Sequence, residues 1–129
     1  MKNLTKAEEQ IMQYLWELHE SSVQQILEKF EEPKPARTTV ATILSILENK
    51  GFISRTTTPN KKGNIYYPLI PKEAYSKLQL SGVLKNYFNN SFASMASFFA
   101  RENNISMEEL DQLLEETRNE LWNEQKKNK

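Results

Sequence analysis

The chain has 129 residues, no cysteine, and 17 basic against 17 acidic side chains. Without cysteine there are no disulfides, thiolate metal sites or thiol nucleophiles, which fits a reducing interior. The length allows one modest core, or a small domain with a helical appendage that needs a partner, and zero net charge argues against a generic nucleic-acid coat.

Thr5 and Glu8 form the two halves of a capping box, and Leu4 before them is placed to act in a hydrophobic staple. Ala7, Ile11, Met12, Leu15, Trp16 and Leu18 then repeat at helical spacing. Ser21 or Ser22 opens a short second helix with Val23, Ile26, Leu27 and Phe30 inward. The run Glu31-Glu32-Pro33-Lys34-Pro35 is a connection, because two prolines so close cannot lie inside a helix. A third helix is predicted from about Thr38 to Lys50, with Val40, Ile43, Leu44 and Leu47 as its apolar stripe and Gly51 as its stop. Phe52 to Thr57 is strand-like, Thr58 to Gly63 reads as a loop, and Asn64 to Tyr67 returns as a second strand ended by Pro68. Three helices and a hairpin with a basic tip make a winged helix-turn-helix.

From Pro71 the pattern is helical again, through Ala74, Tyr75, Leu78, Val83, Leu84, Tyr87 and Phe88, with Gly82 as a point where a kink is expected. Ser91 caps a further helix carrying Phe92, Met95, Phe98 and Phe99. Ser106 with Glu109 opens a last one through Leu110, Leu113, Leu114, Leu121 and Trp122, and Gln125 to Lys129 reads as a frayed end. The fold class expected is mainly α with a small β-hairpin. Residues 1–70 form the winged-helix domain and residues 71–129 a helical dimerisation region.

Charge is unevenly distributed. Between Pro33 and Gly63 the bases Lys34, Arg37, Lys50, Arg55, Lys61 and Lys62 face only Glu48; between Glu102 and Glu124 eight acids face only Arg118. Charge alone fits equally well a polyanion-binding middle or two solvated faces of opposite sign. The third helix favours the former. At about 100° per residue, Thr38, Thr42, Ser45 and Asn49 fall opposite the apolar stripe, with Ala41 and Glu48 on one flank and Thr39 and Ile46 on the other. Short hydroxyls and amides reach base edges in a major groove, and threonine methyls touch thymine methyls. Arg37 at the helix start can grip a phosphate or a guanine. Arg55, Lys61 and Lys62 lie on or near the hairpin tip, where a wing meets backbone or minor groove. On an isolated helix the same residues would simply face water; between two short helices and a basic hairpin they read as a DNA interface. Double-stranded DNA is therefore the expected partner.

A second partner is a copy of the chain. Large apolar side chains in the distal helices exceed what a thin helical arm covers, so Tyr75, Leu84, Phe88, Phe92, Met95, Phe99, Leu110, Leu113 and Leu114 are expected at a twofold interface. Filling an intrachain core is the alternative for the same stripe. Catalysis has little support: His19 is the single histidine and sits among acids at a helix end, no cluster has metal-ligand spacing, and no glycine-rich phosphate loop occurs. No enzyme activity, cofactor or metal is expected. No apolar run approaches a membrane span, and the start Met1-Lys2-Asn3-Leu4 does not read as a signal peptide, so the expected compartment is the cytoplasm. Two other functions fit the same architecture: a regulator holding a small ligand among its distal aromatics, and an adaptor that never touches DNA.

Two stretches resemble the BlaI/MecI penicillinase-repressor family. Leu4-Thr5-Lys6-Ala7-Glu8-Glu9-Gln10-Ile11-Met12-Gln13-Tyr14-Leu15-Trp16 is similar to its opening pattern L-T-x-A-E-x-x-I-M-x-x-L-W. The run Thr38-Thr39-Val40-Ala41-Thr42-Ile43-Leu44-Ser45-Ile46-Leu47-Glu48-Asn49-Lys50-Gly51 is similar to its recognition helix T-T-V-x-T-x-L-x-x-L-x-x-K-G. Tyr66-Tyr67-Pro68-Leu69-Ile70 adds to the likeness. The resemblance implies a repressor dimer on a dyad operator controlling β-lactamase or related antibiotic-resistance genes, with Thr38, Thr42 and Ser45 facing the groove. It also implies induction through a membrane-bound sensor and protease, the repressor being cut in its dimerisation region. The chain departs from the family in two places. Ile46 stands where Arg is frequent, and the nearest match to the family's Asn-Phe cleavage pair is Phe98-Phe99, without the Asn.

Overall fold

The computed structural model describes residues 3–57 and 63–127. The elements in chain order are α1 (Lys6–Leu18), α2 (Val23–Lys29), α3 (Arg37–Asn49), β1 (Ile53–Thr57), β2 (Asn64–Pro68), α4 (Lys72–Phe88), α5 (Phe92–Glu102) and α6 (Met107–Lys127). The fold is mainly helical with one antiparallel hairpin, as the sequence pattern predicts. The chain divides into two compact units, Met1–Leu78 and Gln79–Lys129.

Local chemistry accounts for most element boundaries in the first unit. The Thr5 hydroxyl accepts from the Glu8 amide at 3.2 Å and the Glu8 carboxylate accepts from the Thr5 amide at 3.1 Å, so two of the orphan donors at the start of α1 are satisfied reciprocally. The fourth position of the helix, where a staple would need an apolar partner, is Glu9; Leu4 packs against the core instead. His19 caps α1 at φ 70, its amide donating to the Leu15 carbonyl at 2.8 Å. Ser22, with Gln25, makes the capping box of α2. α3 starts at Arg37, one residue earlier than its hydroxyl-rich sequence predicts, behind Ala36, which offers no side-chain cap. It stops at Gly51, whose φ of +82 a residue with a Cβ rarely adopts.

The core of this unit is Ile11, Met12 and Leu15 of α1, Ile26 of α2, Val40, Leu44 and Leu47 of α3, with Phe52, Ile53 and Tyr66 from the hairpin. Each apolar stripe closes on the other two helices, and the hairpin seals the end. Its register pairs Ile53 with Pro68 and Thr57 with Asn64. Ser21 adds a third, single-residue rung: its amide donates to the Tyr66 carbonyl and its carbonyl accepts from the Tyr66 amide, both at 2.8 Å. This rung ties the α1–α2 connection to the wing.

Tyr75 departs from the expected assignment. Counted from sequence among the dimerisation residues, it lies in the core of the first unit, 4% exposed, with its ring 5.9 Å from Phe52 and 5.8 Å from Trp16. The Trp16 indole N–H donates to the Ile70 carbonyl at 2.8 Å, pinning the chain just before α4. The amphipathic stripe of a long helix therefore serves the first unit at its start, so Tyr75 has no surface left for a second copy.

In the second unit α5 and α6 are joined through Asn103 and Asn104. Ser91 caps α5, the Ser106 hydroxyl accepts from the Glu109 amide at 3.1 Å, and Asn89, Asn90 and Asn104 take the positive φ values that asparagine tolerates. α4 runs through Gly82 without interruption, so the expected kink does not break the helix. The frayed end predicted from Gln125 is helical through Lys127, and the Lys126 ammonium lies 5.4 Å from the Trp122 ring centroid. No described residue beyond Leu78 is buried. Among the described residues no helix is long and apolar enough to cross a membrane.

Candidate nucleic-acid interface

The packing of α3 decides what it shows to the outside. Val40, Leu44 and Leu47 are buried, so the opposite strip is committed outward, and Arg37, Thr38, Thr39, Thr42, Ser45 and Asn49 are all exposed. Ile46, on the flank of the strip, is an exposed apolar side chain. A 13-residue helix carrying hydroxyls and an amide along one face has the donors, acceptors and methyls that base edges match.

Two contacts refine this face. The Thr42 hydroxyl donates to the Thr38 carbonyl one turn back, at 2.9 Å. Its proton is used inside the helix, leaving its lone pairs and its methyl outward. Arg37 is held from the neighbouring helix, its Nη1 donating to Gln24 Oε1 at 3.1 Å. The guanidinium thus stands at the N-terminal end of α3, where the helix dipole also favours an anion.

The bases of the Pro33–Gly63 stretch do unequal work. Lys34 donates to the Leu27 carbonyl at 2.9 Å and reaches Phe30, so it closes the end of α2 rather than waiting for a ligand. Lys50 is 2.6 Å from Glu8 and holds α3 to α1. Arg55, on β1, has its Nε 3.3 Å from Glu48 Oε2. Lys61 and Lys62, expected at the wing tip, lie outside the described residues. Sequence reading missed Gln24, the pairing of Glu48 with Arg55, and the structural use of Lys34 and Lys50. The available signal was Glu48 itself, the lone acid in a basic stretch.

The other expected interface residues fall in the second unit. Phe92, Phe99, Leu113 and Leu114 are exposed, whereas Leu84, Phe88, Met95 and Leu110 are half-buried within the chain. Phe88 and Phe98 pack with ring centroids 5.6 Å apart. Phe98 and Phe99, the candidate cleavage region, sit inside α5 and both are exposed. A cleft of about 320 Å³ between α5 and α6 is lined by small and aliphatic side chains with Arg101, not by the distal aromatics expected to hold a ligand. Among the described residues no group of three His, Cys, Asp or Glu side chains is placed to hold a metal.

Comparison with known proteins agrees with this architecture. Residues 4–119 match the family described as penicillinase repressor. No curated protein matches the chain. Among solved structures, a mutant of MarR from E. coli is similar at TM-score 0.51 and 13% identity, covering 92% of this chain and 79% of that one. The reduced form of E. coli MarR gives TM-score 0.49 at 13% identity, covering 92% and 78%. A transcriptional regulator, PA4135, gives 0.47 at 24% identity, covering 98% and 79%. The first of these supports a shared winged-helix fold. The family match spans both units, from the capping box of α1 into α6, and the chain belongs to the penicillinase repressor family, as a winged-helix, DNA-binding repressor of transcription.

Proposed function

We propose that this repressor acts as a homodimer in the cytoplasm, on a dyad operator of β-lactamase or related antibiotic-resistance genes. In this reading α3 enters the major groove with Thr38, Thr39, Thr42, Ser45 and Asn49 toward the bases. Arg37 takes a phosphate or a guanine at the helix start. The hairpin, with Arg55, Lys61 and Lys62, lies against the backbone. Ile46 offers a methyl-rich contact where relatives of the family offer a cation, so the operator should carry a thymine near that position. The observation that carries the reading is the outward polar strip of α3, directly behind a core that fixes its orientation.

Dimerisation rests on the exposed Phe92, Phe99, Leu113 and Leu114. Burying a Leu or Phe side chain contributes roughly 1.5–3 kcal/mol, so a few of them doubled across a twofold axis outweigh the cost of association. Relief of repression is assigned to a membrane-bound sensor and protease acting near Phe98 and Phe99. Separating the two copies removes the second half-site and with it most of the affinity.

The test is selection of duplexes from a random pool by the full chain. The expected product is a palindrome whose half-sites are about 10 base pairs apart, centre to centre, or a multiple of that. Failure to enrich any sequence would leave the adaptor reading standing instead.

A further inference from the structure

Four bases of the Pro33–Gly63 stretch lie among the described residues, and only two of them are left for a ligand. Lys34 and Lys50 are engaged in closing α2 and in holding α3 to α1. Arg37 and Arg55 are surface groups. Arg37 is held by a neutral amide, that of Gln24. Arg55 is held by a carboxylate, that of Glu48, which projects from the last turn of α3 beside the polar strip. An acid on that face is costly for a protein that approaches a polyanion. Every phosphate approaching Arg55 also meets Glu48, and the pair together carries no net charge.

We infer that Glu48 is an affinity-limiting residue of the DNA surface: its carboxylate aims Arg55 while cancelling the charge that Arg55 brings to the backbone. The inference rests on the DNA-binding reading above and deepens it. Glu48 lies 3.3 Å from the Nε of Arg55 as an ion pair, which leaves the guanidinium with N–H groups for a phosphate oxygen. The arrangement keeps the geometric benefit of a positioned arginine and forgoes its electrostatic benefit. Because the charge effect is independent of sequence, it sets how tightly any duplex is held and leaves base preference to the α3 strip. Glu48 is thus a positioning residue acting through Arg55.

Glu48→Gln separates the two effects, since glutamine keeps the shape and an oxygen facing Arg55 while the charge is gone. Binding of the full chain to a selected operator duplex and to an unrelated duplex is measured across a salt series. Glu48→Gln should steepen the dependence of log K on log salt by roughly one unit for both duplexes, equivalent to about three- to fourfold between 50 and 200 mM. It should tighten both at low salt by a similar factor and leave their ratio unchanged. Arg55→Gln should weaken both, and Glu48→Gln in that background should not restore the steeper slope to its single-variant value. An unchanged slope in Glu48→Gln, or a gain confined to one duplex, overturns the assignment while the DNA reading stands. Wild-type chain that binds neither duplex overturns the DNA reading, and this inference with it.

Discussion

The ammonium of Lys50 lies 2.6 Å from Oε1 of Glu8, joining the residue that ends α3 to the first turn of α1. Glu8 is buried, and the same carboxylate accepts from the Thr5 amide in the capping box. One side chain therefore starts α1 and fixes the angle at which α3 leaves the core. Burial alone would raise the Glu8 pKa, but the Lys50 contact and the hydrogen bonds from Thr5 outweigh it and hold the carboxyl below its ordinary 4.5.

A depressed carboxyl pKa contributes stability that is present above the ordinary value and lost as pH falls through the lowered one. Glu8→Gln keeps the capping-box geometry, because glutamine serves at that position, and removes the charge opposite Lys50. We expect it to lower stability at neutral pH by about 1.5–3 kcal/mol, the range for a hydrogen bond to a charged group. Urea denaturation of both forms as a function of pH checks this. The two stabilities should converge as the solution is taken below pH 4.5, and a difference that does not depend on pH would show that the pair contributes nothing electrostatic.

Tyr75 provides a second test, because its place in the core and its expected place at a dimer face make opposite demands. With the ring packed on Phe52 and Trp16, Tyr75→Ala should lower the unfolding free energy by about 3–5 kcal/mol, the usual effect of removing a buried aromatic ring. The solution mass of the variant, measured by sedimentation under native conditions, should equal that of the wild type. Loss of mass without loss of stability would return Tyr75 to the interface. Burial also pushes its phenol pKa above the usual 10.0, with Glu9 adding to the rise against a backbone hydrogen bond at Leu4. The ionised form is thus disfavoured in the folded state, and stability should fall as pH rises through that range.

What the sequence made legible was local. The boxes at Thr5/Glu8 and Ser106/Glu109, the cap at Ser91 and the stop at Gly51 are spaced within one helical turn, so each follows from a few residues. The outward strip of α3 was legible for the same reason: its period fixes which side chains oppose Val40, Leu44 and Leu47. What escaped depended on distant partners. A single rung between Ser21 and Tyr66 leaves no alternating run to read. Lys34 looks like a free charge among prolines until the chain folds it back on the end of α2. Tyr75 shares a helical stripe with residues of the second unit, and periodicity cannot say where along one helix its packing partner changes.

The exposed apolar side chains of the second unit give a prediction about assembly. Leu113 and Leu114 both lie on α6, more than two-fifths exposed in the single chain. Leu113→Lys together with Leu114→Lys should convert a two-copy particle into a one-copy particle, measured by sedimentation at micromolar concentration. A desolvated lysine at an apolar contact is strongly unfavourable, while the same residue on a water-facing helix is nearly neutral. The first unit should keep its unfolding transition. Operator affinity should fall by orders of magnitude, because one half-site then binds alone. A variant that stays paired would place the twofold contact elsewhere.

Thr42 separates the two ways in which a threonine can read DNA. Its hydroxyl proton is given to the Thr38 carbonyl at 2.9 Å, so in the proposed complex it would offer the groove an acceptor and a methyl group rather than a donor. A thymine methyl is matched by the threonine methyl, whereas an amino group on cytosine or adenine is matched by the hydroxyl oxygen. The reading face is flanked by Ile46 on one side, which biases this part of the surface toward methyl contacts. Thr42→Val keeps the shape and the methyl and loses the oxygen; Thr42→Ser does the reverse. We expect Thr42→Val to retain the base preference of the wild type, and Thr42→Ser to lose about 1 kcal/mol or more of discrimination at one position per half-site, the lower end for a specific base contact. Competition binding with operators substituted one base pair at a time resolves the two. The opposite order of losses would identify the oxygen as the reading atom, and equal indifference to both changes would remove Thr42 from the interface.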